Sequence, residues 1–419
     1  MFSSYRRLFA TPGSPAMVLA GLVARFPTGM AGVASVFMIT AHGSYGLAGA
    51  LSATLLVVVA LAGPQLSRLI DRHGQARAAV PAQLVASSGA FALLLCVQTH
   101  APTWILFVCA ACSGVGPNLG ALSRARWSSM LDGDEATLHS AYSFESVLDE
   151  ICFVLGPLVA TVLATALFPS AGFLASSLLF LIGTLLFCAQ RRTEPPVRAA
   201  TAASARGSAL ASPGLRVLTG VLLAMGTMFG VNEITTVGFA DAHGHKAAAS
   251  LVLGCYALGS MLSGLAFGVW KPKGSPSRRL LLCLLLMTAA LLPLPFVDNL
   301  PEVAAVLLVA GLMTAPTIVT AMGLVRELVP AEKLTEGFSW AVTGLLLGVS
   351  AGAAVGGWAV QHLGAGAGYR LPPLAAAVAL LIALSGIRLL RPGGGPAAPG
   401  EPVPRTEPRE ASGEAAHVQ

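Results

Sequence analysis

The chain has 419 residues, 55% of them hydrophobic and only 11% charged, against about 25% charged in an average soluble domain. Its polar surface cannot cover the cores that a soluble chain of this length needs, and the mean hydropathy of +0.75 agrees. A soluble enzyme, a nucleic-acid binder and a disordered protein are excluded for most of the chain. The formal net charge of +6 then belongs to loops, because basic residues of membrane proteins gather on the cytoplasmic side.

A helix needs ~20 apolar residues to cross the ~30 Å hydrocarbon layer. Twelve candidate spans follow in chain order, near residues 16–39, 45–66, 79–97, 103–123, 139–166 and 171–189, then near 215–239, 247–269, 279–296, 302–324, 336–361 and 371–390. The first is long enough to span and lacks a clear cleavage site, so no cleavable signal peptide is expected. The polar stretch from Gln190 to Pro213 divides the spans six and six. The expectation is an all-α integral membrane protein of two pseudo-symmetric six-helix bundles, over 1–189 and 215–391, joined by a cytoplasmic linker over 190–214. Residues 392–419 are rich in Pro, Gly and Glu and read as a disordered cytoplasmic tail.

Orientation comes from Lys and Arg. With a cytoplasmic N-terminus, the inner side holds Arg6, Arg7, Arg68, Arg72, Arg77, Arg124, Arg126, Lys271, Lys273 and most later arginines, while the outer side keeps Lys246 and Arg370. That asymmetry of about ten to one places both termini in the cytoplasm and the chain in the cell's inner (plasma) membrane.

Ionisable groups inside a bilayer cost several kcal/mol unless paired or hydrated, so each is a functional candidate. Arg25 lies ~13 Å deep in span one, and Asp149 and Glu150 lie ~15 Å deep in span five, at 1.5 Å per residue. Glu145 is one turn shallower and shares a face with Asp149, while Glu150 points about 100° away. Equal depth suggests that Arg25 pairs with one of these acids. Three roles stay open: a lock between spans one and five, an acid that exchanges a proton, or a cluster that binds a cationic substrate. Pro27 favours a kink next to Arg25, or is a tolerated membrane proline. In span seven, Asn232 and Glu233 lie near the outer third, as cavity-lining or interfacial residues. Pro117 and Asn118 in span four correspond to Pro316 and Thr317 in span ten, and paired helix breaks point toward a cavity. Asn118 could contact substrate or join helices. In span eleven, Gly344, Gly348, Gly352 and Gly356 recur every fourth residue and form one smooth face for close packing, with sliding as an extension of that role.

Other signals are weak. The seven cysteines lie in apolar runs and read as small buried hydrophobes; Cys109 and Cys112 have the CxxC spacing without a second pair. His243 and His245 make an incomplete metal site. No Walker glycine loop and no nucleophile elbow is present. Neither an enzyme, nor a cofactor, nor a metal is expected.

The halves resemble each other. Leu138, Tyr142, Ser143 and Phe144 fall opposite Leu334, Phe338, Ser339 and Trp340, Gly156 falls opposite Gly352, and Gly74 falls opposite Gly274. Such duplication suggests a rocker transporter with its site between the halves near the midplane. The loop Ser67 to Arg77, SRLIDRHGQAR, resembles the G-x-L-x-D-R-x-G-R-R loop of the major facilitator superfamily, with Asp71, Arg72 and Gly74 in register. The run Cys152 to Thr161, CFVLGPLVAT, is similar to the span-five G-x-x-x-G-P-x-x-G-G motif of its twelve-span drug:proton antiporters, with Gly156 and Pro157 in register. The span-four arginine of that group is missing from its usual place, and Arg124 and Arg126 fall at the cytoplasmic end of the span. The resemblance covers about residues 10–391 and implies gating by the Asp71 loop. It also implies proton-coupled efflux of a small amphipathic drug or secondary metabolite, by a protein that usually acts as a monomer. A nutrient or anionic-metabolite importer on the same fold is the rival reading, with Arg25 binding the substrate's acid group.

Overall fold

The computed structural model describes residues 2–41, 45–197, 207–245, 248–270 and 274–391. The expected tail, the middle of the linker (198–206), Lys246, Lys271 and Lys273 lie outside the described residues. The helices are α1 (Phe2–Ala10), α2 (Ser14–Thr40), α3 (Tyr45–His73), α4 (Gln75–Gln98), α5 (Thr103–Ser113), α6 (Leu119–Met130), α7 (Glu135–Ala166) and α8 (Ala171–Ala189). The second half holds α9 (Pro213–Ala242), α10 (Ala248–Val269), α11 (Pro276–Leu291), α12 (Leu300–Leu328), α13 (Leu334–Leu363), α14 (Ala365–Gly368) and α15 (Leu371–Ser385). Among the described residues, eleven helical segments are long and apolar enough to cross a membrane, and the shorter apolar α5 supplies part of a twelfth span. Large apolar side chains such as Leu61, Leu158, Leu251 and Leu381 stay exposed, as lipid solvation of the outer faces requires.

Helix starts follow local chemistry. Asp134, Ser212 and Asn299 accept from the backbone N–H groups of Thr137, Leu215 and Glu302, satisfying donors that have no partner in the first turn. Gly74 has φ of +93° between α3 and α4, a conformation that glycine adopts without a Cβ penalty.

Span four departs from the expected continuous run over 103–123. α5 ends at Ser113 and α6 starts at Leu119. Pro117 supplies no N–H and biases Gly116 away from helix; Asn118 then restarts the helix, accepting from the N–H of Ala121 at 3.0 Å. The break lengthens the span, so that α6 runs on to Met130. The expected symmetry of breaks does not hold, because α12 continues through Pro316 without interruption.

Within each half the helices approach closely at glycines. A Cβ on Gly348 would lie 2.0 Å from the Leu223 carbonyl oxygen, and one on Gly352 would lie 2.1 Å from that of Thr227. The glycine face of span eleven is therefore pressed onto α9 of its own half. It is a packing face, and the sliding extension is corrected, since the surface that moves in a rocking cycle lies between halves. Gly156 plays the same part against α2, where an added Cβ would lie 2.6 Å from the Gly29 carbonyl carbon. Pro157 is accommodated inside α7. Between the halves, α7 packs against α10 and α12, and α3 and α6 pack against α13.

Candidate functional site

Two groups of polar residues stand out, one inside the N-terminal half and one where the halves meet. In the first, Arg25 on α2 is 3% exposed and reaches two acids of α7. Its Nη1 lies 2.6 Å from Glu145 Oε2 and 3.0 Å from Asp149 Oδ1. The face shared by Glu145 and Asp149 makes this double contact possible. Glu145 is fully buried; its Oε1 accepts from Ser123 Oγ at 2.9 Å and from Trp127 Nε1 at 2.8 Å.

Arg124 completes the group. Its Nη2 donates to Asp149 Oδ2 at 2.6 Å. Placing Arg124 at the edge of the span is therefore corrected: it is 2% exposed and joined to the mid-span acid. α6 runs on beyond it to Met130, so Arg124 lies inside the helix and not at its end. Arg126, on the same helix, leaves the group. It donates to Gln75 Oε1 at 2.7 Å, to Thr193 Oγ1 at 2.6 Å and to the Gln190 carbonyl at 3.0 Å, with its guanidinium 3.9 Å above the Phe187 ring. The first group thus balances Arg25 and Arg124 against Glu145 and Asp149, which is how buried charges are kept without a large desolvation penalty.

Glu150 points elsewhere, as its helical angle requires. It accepts from Ser260 Oγ on α10 of the other half, at 2.6 Å. On α10 one turn before Ser260, Tyr256 meets Thr314 of α12 at 2.6 Å and packs edge-on against Phe229 of α9, with centroids 6.0 Å apart. Glu233 is exposed one turn beyond Phe229, and its neighbour Asn232 is buried with Oδ1 lacking a hydrogen-bond partner. Asn118 serves as the cap of α6. Sequence reading missed Ser260, Tyr256 and Phe229, which carry no charge and lie in ordinary apolar runs.

The second group closes one end of the bundle, the end bearing α1 and the linker. Asp71 accepts from the N–H groups of Thr335 at 3.2 Å and Glu336 at 2.9 Å, in the first turn of α13. A carboxylate at a helix N-terminus is held by both hydrogen bonds and dipole. Arg68 Nε donates to Glu336 Oε1 at 2.7 Å. Arg326 at the end of α12 lies 2.9 Å from Asp132 and also pairs with Glu135. Ser140 donates to the Gly268 carbonyl at 2.5 Å. Gly74 gives α3 and α4 their sharp turn, and Arg72 beside Asp71 is exposed. A cavity of about 280 Å³ at this end is lined by Asp71, Gln75, Asp132, Arg326, Glu332 and Thr335 among others.

Two bundles of helices, clamped at one end and holding buried charges near mid-span, match a known architecture. The Major Facilitator Superfamily model matches residues 17–239 and 217–416. The chain belongs to the major facilitator superfamily. It is therefore a membrane transporter of small molecules. Solved structures share the fold at low identity. The human organic anion transporter MFSD10 (TETRAN) is 15% identical, covering 91% of this chain and 100% of that one, with a TM-score of 0.67. A bacterial homologue of the iron transporter ferroportin in an outward-facing state is 16% identical, covering 88% and 98%, with a TM-score of 0.68. FucP in the outward conformation is 13% identical, covering 88% and 98%, with a TM-score of 0.62. No curated protein sequence matches the chain.

Proposed function

We propose that this transporter exports a small amphipathic molecule, a drug or a secondary metabolite, in exchange for protons, with both termini in the cytoplasm. The observation that carries this reading is Glu150. Asp149 is held between two arginines and Glu145 is held by Arg25, Ser123 and Trp127. Glu150 has a serine as its partner and no ion pair among the described residues. An uncompensated carboxylate between packed helices is costly, and taking up a proton or a cationic group relieves that cost. A proton and a cationic substrate group that compete for one carboxylate are exchanged when the empty, charged carboxylate keeps the halves from rocking.

The arginine asymmetry supports a cytoplasmic position for the clamped end, which makes this conformation outward-facing. In that state Glu150 takes a proton from outside and releases the substrate. After the halves rock, it loses the proton to the cytoplasm and accepts substrate again. The Ser260 hydroxyl supports both steps, since it donates to the carboxylate and accepts from the acid. Arg25, Glu145, Asp149 and Arg124 hold the helices that present Glu150, while Asn232, Glu233, Phe229 and Tyr256 line the path. The importer reading has its own support in Arg25, whose Nε and Nη2 lack acceptors. Those atoms are buried, however, and an anion reaches them only if α2 moves.

The test is compound retention in a pump-deficient bacterial host, at matched membrane expression. The wild type lowers retention of one or more dyes or antibiotics, a protonophore abolishes the difference, and Glu150→Gln does not lower it. Export by Glu150→Gln at the wild-type rate overturns the assignment and makes Glu233 the next candidate.

A further inference from the structure

The linker between the halves is bound at two places. Its first segment belongs to the N-terminal half. Arg126 holds Gln190 and Thr193, and Glu194 Oε1 accepts from the Ala76 N–H at 2.9 Å, in the first turn of α4. Its last segment belongs to the C-terminal half and ends on one carboxylate. Ser208 Oγ donates to Glu336 Oε1 at 2.5 Å, and the Ala209 N–H donates to the same oxygen at 3.0 Å. Trp340 Nε1 lies 3.2 Å from it. That oxygen is also the acceptor for Arg68 of the opposite half, at 2.7 Å. Glu336 is 1% exposed, and its Oε2 has no partner.

We propose that Ser208 and Ala209 position the Glu336 carboxylate to receive Arg68, so that the linker is a working part of the gate at the clamped end. The inference rests on alternating access by the superfamily fold and not on the proton site. The argument starts from what opening does. When the halves separate at this end, Arg68 leaves Glu336, and Asp71 leaves the first turn of α13. Glu336 would then be a buried carboxylate without a cation, which is costly. Ser208, Ala209 and Trp340 move with α13, so their three donors stay. They hold the carboxylate in one rotamer, with Oε1 aimed at the place where Arg68 returns. Without them, Glu336 can turn toward water in the open state, and reclosing then has to order it again. The linker thereby biases the equilibrium toward closure of this end.

The backbone permits a sharp test. Ser208 has φ −87° and ψ 155°, the extended conformation that a residue before proline adopts. Ala209→Pro thus removes the N–H donor without demanding a new backbone shape. Ser208→Ala removes the hydroxyl, and Ser208→Thr keeps it. The readout is hydrogen exchange of the full-length protein in lipid nanodiscs, followed by mass spectrometry on the peptide containing Thr335 and Glu336. Those two amides are bonded to Asp71 of the opposite half only while the end is closed, so their exchange reports the gate directly.

Ser208→Ala and Ala209→Pro should each speed that exchange about 3- to 10-fold, the equilibrium factor of one net hydrogen bond. Ser208→Thr should restore the wild-type rate. Arg68→Ala should speed it too, and adding Ser208→Ala to Arg68→Ala should change it less than two-fold, because the serine acts through the arginine's acceptor. Unchanged exchange in both Ser208→Ala and Ala209→Pro overturns the proposal. So does full additivity of Ser208→Ala with Arg68→Ala, which would mean a local packing role. Transport that survives Glu150→Gln would defeat the proton assignment and leave this result untouched.

Discussion

Replacing Arg25 by Met keeps the length of the side chain and deletes its charge. Two acids then face Arg124 alone, and the group carries one unbalanced negative charge. Arg25 and Glu145 are 3% and 0% exposed, so water screens the loss poorly. Removing one partner of a buried ion pair costs about 3–5 kcal/mol. For a chain of 419 residues, an unfolding entropy of about 2.1 cal/mol/K per residue makes each kcal/mol worth about 1 °C of melting temperature, so a drop of roughly 3–6 °C is expected. The assay is thermal unfolding of purified protein in one detergent, followed by intrinsic fluorescence. The geometry also predicts which second change repairs the damage. In Arg25→Met/Glu145→Gln, Asp149 keeps its 2.6 Å contact with Arg124, and the new amide oxygen still accepts from Ser123 and Trp127. In Arg25→Met/Asp149→Asn, Arg124 loses its charged partner and Glu145 loses its cation. The first double variant should therefore recover more than half of the lost stability, and the second should recover less. Equal recovery, or an undamaged Arg25→Met, would refute the account of a balanced four-charge group.

Further outcomes are specific. Gly348→Val places carbon within 2.0 Å of the Leu223 carbonyl oxygen, so α9 and α13 must separate; folded yield in detergent, read by size-exclusion chromatography, should fall sharply. Asn118→Ala removes the cap on α6 and should lower stability by about 1 kcal/mol, measured as a small melting shift, whereas Asn118→Asp should not. The amides of Thr335 and Glu336 bond to different oxygens of Asp71, so Asp71→Asn leaves an acceptor for one of them and loses the charge opposite the helix dipole; hydrogen exchange at the start of α13 should rise a few-fold. Asp71→Ala, which loses the acceptor as well, should raise it further.

Much of the architecture was legible because the bilayer constrains sequence so strongly. Spans, their six-and-six division and the multi-pass topology follow from run length and composition alone. The shared face of Glu145 and Asp149 was also readable, since helix geometry is regular along one chain. Reading failed where a helix stops being regular. Span four is broken before α6, α6 continues to Met130, and Arg124, an apparent edge residue, joins the charged group. Pro316, which looked equivalent to Pro117, broke nothing: no glycine pair precedes it, and the Thr317 hydroxyl donates back to the Met313 carbonyl at 2.6 Å instead of capping a new helix.

What the sequence determined by itself was a family of periodic helices, the residues that lipid would not tolerate and the glycines that permit close approach. These are local properties, set by the cost of burying polar groups and by 3.6 residues per turn. Only the tertiary structure decided which charges meet. Glu145 and Asp149 are bound twice over, while Glu150, next in sequence to Asp149, is turned by one residue of helical rotation toward Ser260 of the other half. The same holds for Glu336, an interfacial residue by its position in the chain, which gathers Arg68, Ser208 and Ala209 from three separate segments. Contacts between distant segments depend on how whole helices pack, and no local pattern records them.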